Sequence, residues 1–94
     1  VGPLTCDIQL GNFAMINIAA TIGHDAVIGD GCTINSHSDV TGFVKLGTGV
    51  FLGSHAVITP SVKVKDFARI GAGSIVVKQV AAETSVFGIP AKKI

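Results

Sequence analysis

Residues 22–58 read IGHDAVIGDGCTINSHSDVTGFVKLGTGVFLGSHAVI. Every sixth residue of that stretch is aliphatic: Ile22, Ile28, Ile34, Val40, Leu46, Leu52 and Ile58. The series runs on without a break to Leu4, Leu10 and Ile16 on one side and Val64, Ile70 and Val76 on the other, thirteen positions in all. A helix repeats its apolar face every three or four residues and a half-buried strand every two. A period of six fits neither, and internal repetition of this kind marks a repeat architecture.

Two further series share the period. Two residues before each aliphatic stands a small or β-branched residue, as at Ala20, Ala26, Cys32, Ser38, Val44 and Ala56. Directly after it comes Gly or Asn at most repeats, as at Gly11, Asn17, Gly23, Gly29, Asn35 and Gly53. Gly and Asn tolerate positive φ, so a bend is expected there. Short strand, bend, short strand, with two inward residues per six, describes a three-sided coil of eighteen residues. Stacked coils pair at about 4.8 Å, which makes the chain an all-β parallel β-helix of solenoid type with roughly four turns. A sandwich of short strands would need period-two alternation and irregular turn spacing, which the chain lacks. After Val76 the period lapses, with Ala82 and Gly88 where aliphatics fall due. Residues 1–79 are therefore read as coil and 80–94 as a short C-terminal cap or tail, with a helical turn expected near Ala81 to Ser85.

Composition narrows the function. The 94 residues are 48% hydrophobic and 14% charged, with a net charge of +1. No basic run suggests a nucleic-acid footprint, and no apolar run approaches the length of a membrane span. Two cysteines, Cys6 and Cys32, make no disulfide framework, and a reducing, cytoplasmic setting is expected. No signal peptide is visible. The chain begins at Val1 and is in mid-repeat by Leu4, which suggests a preceding part.

The period also works as a contact map, because residues eighteen apart lie one above the other. It puts His24 over Cys6 and under Gly42, His37 under His55, and Asn17 under Asn35. His24 follows a Gly bend and should project outward. Beside Asp25 it has the makings of a general base, since a neighbouring carboxylate fixes an imidazole tautomer; the plainer reading is a solvated surface histidine. Gly42 offers a backbone N–H with no side chain in the way, as oxyanion stabilisation requires. His37 and His55, with a third imidazole from a neighbouring chain, suit zinc, or they line an interface or face water. Cys6 beneath His24 makes a thiol–imidazole pair the remaining catalytic option. Thr5, Thr41 and Thr59 share a column, but Gly23 interrupts it, so no regular ice-binding ladder forms.

The segments Ile22 to Asp30, Ile70 to Lys78 (IGAGSIVVK) and Val86 to Ile94 (VFGIPAKKI) resemble the hexapeptide-repeat acyltransferases over nearly the whole chain. Within that family the Gly-His-Asp bend and the Pro-Ala-Lys ending are most similar to the sialic-acid O-acetyltransferases and UDP-amino-sugar N-acetyltransferases. The resemblance implies a left-handed parallel β-helix, an exception to right-handed crossovers. It implies a homotrimer with acetyl-CoA, the co-substrate, in the grooves between subunits, and a sugar-like acceptor acetylated directly, without metal. It makes His24 the base, tuned by Asp25, with Gly42 steadying the oxyanion. Contacts to acetyl-CoA map onto Gly42, Ser54, Ala72 and Lys78, with Lys92 and Lys93 also available to its phosphates. A position where one member of the subgroup carries a second, CoA-contacting histidine is Thr33 here. The nucleotide-binding domain that the subgroup places before its β-helix is not in this sequence, which leaves the acceptor open. A γ-class carbonic anhydrase-like metalloenzyme and a non-catalytic β-helix fragment are the alternatives.

Overall fold

The structure, a computed structural model, describes residues 7–94. Leu4, Thr5 and Cys6, which enter the sequence reading, lie outside the described residues. Fourteen strands and no helix occur among the described residues. Twelve strands are two residues long and build the three faces of a left-handed triangular coil. The first face stacks Gln9–Leu10, Val27–Ile28, Lys45–Leu46 and Lys63–Val64. The second stacks Met15–Ile16, Thr33–Ile34, Phe51–Leu52 and Arg69–Ile70. The third stacks Thr21–Ile22, Asp39–Val40, Val57–Ile58 and Ile75–Val76. All these pairings are parallel and in register at eighteen residues, as Ile22 with Val40 and Val40 with Ile58.

Both inward series fill the coil. Ile28, Ile34, Val40, Leu52 and Ile58 are at most 1% exposed, and Ala20, Ala26, Cys32 and Ala56 are fully buried between them. The polar members of the small series are satisfied in place. The Ser38 hydroxyl donates to the Gly53 carbonyl at 2.8 Å, and the Cys32 thiol to the Gly47 carbonyl at 3.0 Å. Asn17 Nδ2 donates to Asn35 Oδ1 at 2.9 Å, and Asn35 Nδ2 to the Leu52 carbonyl at 2.9 Å, so the two asparagines form a polar ladder.

The corners differ from expectation. Positive φ falls two residues beyond the Gly/Asn series, at Ala19, Asp25, His37, Phe43, His55, Ser61 and Phe67, with φ between 58° and 65°. Each of these residues completes a tight turn, and from His37 onward its N–H donates to a carbonyl one coil below, as Phe43 to His24 at 3.0 Å and His55 to Ser36 at 3.0 Å. That bond holds non-glycine residues in a conformation they ordinarily avoid. The glycines after the aliphatics answer to crowding instead. A Cβ on Gly53 would sit 2.5 Å from the backbone nitrogen of Ala72, so a side chain there must push the coils apart.

The end of the coil also differs. Val80 bridges Val64, and Ser85–Gly88 pairs in parallel with Arg69–Ile70 through Arg69 with Ser85 and Ile70 with Val86. The offset is sixteen, so the coil continues past Val76 with one side two residues shorter. Val80 and Val86, 5% and 7% exposed, carry the core onward. In place of a helical turn, Ala82–Glu83 forms another corner, with Glu83 at φ 58° and the Thr84 hydroxyl donating to Ala81 at 2.7 Å. The chain then reverses through the cis Ile89–Pro90 bond, and Ala91–Lys93 closes the second face as its one antiparallel strand among the described residues.

Ile34→Ala should cost about 2–5 kcal/mol, since it hollows a fully buried layer, whereas Ile94→Ala, 83% exposed, should stay within about 0.5 kcal/mol; urea unfolding measures both. Burial pushes the Cys32 thiol up and outweighs the backbone hydrogen bonds of Val50, Gly29 and Gly49 that lower it, with a smaller upward push from the Asp30 charge. The native state therefore keeps this proton where the unfolded chain releases it. That stabilisation is whole below the unfolded thiol value, about 8.5, and is lost as pH rises through the folded one. Iodoacetamide at about pH 8.5 should accordingly leave Cys32 unmodified in native protein and alkylate it in urea, as read by peptide mass mapping.

Candidate active site

One corner, between the third and first faces, gathers His24, Asp25, Gly42 and Phe43. His24 and Asp25 are sequence neighbours, and on a flat strand they would face opposite ways. Asp25 has φ 58°, and this turn brings its carboxylate back to the imidazole. Asp25 Oδ2 lies 3.2 Å from His24 Nδ1, with the two side chains 44% and 54% exposed. A carboxylate at Nδ1 holds the proton there and leaves the Nε2 lone pair to accept another.

Gly42 lies directly above His24. A Cβ on Gly42 would be 3.1 Å from His24 Nε2 and 3.2 Å from Cε1, so the bare Cα is what makes room for the imidazole. The Gly42 N–H donates no hydrogen bond among the described residues. At the equivalent place on another corner, the N–H groups of Asn12 and Thr48 are taken by the carboxylates of Asp30 and Asp66, one coil above, at 2.7 and 2.9 Å. The residue one coil above Gly42 is Pro60, which has no side-chain acceptor. The corner thus presents a base nitrogen and an uncommitted backbone donor together. Phe43 completes it. Its ring meets His24 edge to face, with centroids 5.0 Å apart and planes at 89°. The sequence reading missed Phe43, although register sets it one coil above Asp25.

The other candidate residues stand elsewhere on the single chain. Ser54 and Ala72 share the corner between the second and third faces, and Thr33 lies half-buried on the second face. Lys78 follows the last strand of the third face and, with Lys92 and Lys93, lines a cavity of about 430 Å³ at the C-terminal end. His37 and His55 stack face to face on the Ser54 corner, centroids 4.8 Å apart and planes within 3°. Among the described residues no group of three His, Cys, Asp or Glu side chains is placed to hold a metal. The hydroxyls of Thr41 and Thr59 donate to backbone carbonyls at 2.6 and 3.0 Å, so that column offers no free hydroxyl row. No helix among the described residues is long and apolar enough to cross a membrane.

No family model and no curated protein sequence matches this chain. Solved structures do. The serine acetyltransferase of Neisseria gonorrhoeae is 29% identical and superposes with a TM-score of 0.91 over 97% of this chain and 40% of its own. WeeI from Acinetobacter baumannii is 31% identical, with a TM-score of 0.94 over 97% of this chain and 45% of its own. PerB from Caulobacter crescentus, solved with CoA and GDP-perosamine, is 26% identical, with a TM-score of 0.75 over 97% of this chain and 53% of its own. The chain spans about two fifths of the length of the serine acetyltransferases it matches. The repeat, the triangular coil and these likenesses agree: the chain has the left-handed β-helix of the hexapeptide-repeat acyltransferases.

Proposed function

We propose that this chain provides an acetyl-CoA-dependent acetyltransferase site, with His24 as general base and the acceptor a nucleotide-sugar or similar small molecule bearing an amine or hydroxyl. The observation that carries the reading is the pairing of His24 Nε2, left free by Asp25 at Nδ1, with the open Gly42 N–H above it. A serine acetyltransferase solved with CoA is 27% identical to this chain, and PerB binds CoA together with an amino-sugar nucleotide. Both support acetyl-CoA as donor, and PerB supports the sugar-like acceptor.

The chemistry runs in one transfer. The acceptor nitrogen or oxygen attacks the thioester carbonyl carbon as His24 Nε2 takes its proton. Negative charge gathers on the carbonyl oxygen, where the Gly42 N–H donates to it. The tetrahedral species collapses by breaking the C–S bond, and His24 returns the proton to the departing thiolate. Acetylated acceptor and CoA thiol leave, and His24 is neutral again. Asp25 fixes the tautomer and stabilises the imidazolium formed midway.

His24 stands on an open corner of the single coil, with no wall to hold the long donor. A homotrimer supplies that wall, setting the Ser54 and Ala72 corner of one subunit, and its Thr33, along the donor held at another's His24. Lys78, Lys92 and Lys93 then meet the CoA phosphates as point charges.

His24→Gln should lower kcat for thiol release from acetyl-CoA by about 10²–10⁴-fold, with the circular dichroism of the coil unchanged. The assay takes amino-sugar nucleotides, sugar hydroxyls and serine as acceptors, and a variant at full rate removes the base role. Gly42→Ala should also depress kcat, because its Cβ crowds Nε2. The metalloenzyme alternative parts from this reading on elemental analysis, where stoichiometric zinc or iron would favour a hydratase. A monomer by light scattering would remove the shared groove.

A further inference from the structure

We infer that Phe43 is a positioning residue for His24, holding the imidazole so that Nε2 stays beneath the Gly42 backbone. The inference rests on the proposed role of His24 as base, and it concerns what keeps an exposed base in one orientation. The imidazole is 54% exposed and its partner carboxylate 44% exposed. An exposed contact of that kind is weak, and a ring held only at Nδ1 still has its χ1 and χ2 wells to visit. Gly42 offers no side chain to stop it.

Phe43 supplies the stop. Its backbone sits in the left-handed corner conformation at φ 61°. Its N–H donates to the His24 carbonyl at 3.0 Å, so the two residues are tied across adjacent coils. The ring then meets the imidazole at 5.0 Å and 89°, the edge-to-face arrangement that aromatic pairs prefer. Asp25 fixes the Nδ1 end, and Phe43 restrains the swing of the whole ring. Another phenylalanine in the same kind of slot shows the contrast: the ring of Phe67 lies over Gly49, where there is no side chain to orient. Phe43 is 52% exposed, so its ring is poorly used as core and stands against the one base of the corner.

The test reads the imidazole directly. With histidine-labelled intact protein, NMR signals of the His24 ring, assigned through His24→Gln, should lose their ring-current displacement in Phe43→Leu, and the side-chain couplings should average toward mixed rotamers. Phe43→Tyr should keep both. For thiol release from acetyl-CoA with amino-sugar nucleotides or serine, Phe43→Leu should lower kcat about two- to tenfold with KM for acetyl-CoA unchanged. Phe43→Tyr should restore the rate, and Phe43→Leu should cost nothing further on the His24→Gln background. His24 signals and couplings unchanged in Phe43→Leu would overturn the inference. So would an equal loss on the His24→Gln background, which would make Phe43 a substrate contact or a packing residue. Full activity in His24→Gln would instead remove the base assignment, leaving the NMR comparison to decide whether Phe43 fixes the ring.

Discussion

The backbone ladder between coils is the interaction on which the rest of this structure depends. Each two-residue strand is too short to be stable alone, and each gains its hydrogen bonds only from the coils above and below. Up to Val76 every coil spends the same eighteen residues on its circuit, as Thr21 with Asp39 and Asp39 with Val57 show on the third face, and only the last pairs at sixteen. Regular length keeps the aliphatic series inward, and the buried aliphatics in turn keep the length regular. The small residues between them let three walls approach closely enough to exclude water.

A corner of such a coil is a natural place for chemistry. The faces commit their backbone groups to the ladder, whereas a corner leaves some of them to be capped or left open. Asp30 and Asp66 cap one corner with their carboxylates. At the His24 corner Pro60 caps nothing, and the Gly42 N–H stays available. The same left-handed turn that lets the chain round the corner swings Asp25 beside His24. An exposed imidazole, a carboxylate beside it and an open backbone donor therefore arise from ordinary coil geometry, with three residue choices to exploit it.

Much of this was legible in the residues. Six-residue spacing of Ile and Val specifies the coil and its core, and adding eighteen to a residue number predicts the His24–Gly42 and His37–His55 neighbours. What escaped was governed by three-dimensional crowding. Glycine or asparagine after most of the aliphatics suggested a bend with positive φ, yet at Gly53 the reason is the Ala72 backbone next door, and the positive φ belongs to residues such as Asp25 and Phe43. The two-residue shortening after Val76 hid the last coil, because Val80 and Val86 keep the six-residue step but in a shifted phase. Phe43 escaped because an exposed aromatic in a turn carries no signal until register sets it beside His24. Ser54, Ala72 and Thr33 came from resemblance, and a single coil keeps them on other sides of the triangle.

The proposed chemistry places the reacting thioester at one address on the molecule. The structure of the assembled protein with bound CoA tests this most directly. The account predicts the CoA sulfur at the His24 corner, within a few ångströms of Nε2 and of the Gly42 N–H, with the phosphates toward Lys78, Lys92 and Lys93. A sulfur resting at the His37 and His55 stack, or on any face remote from His24, would contradict it.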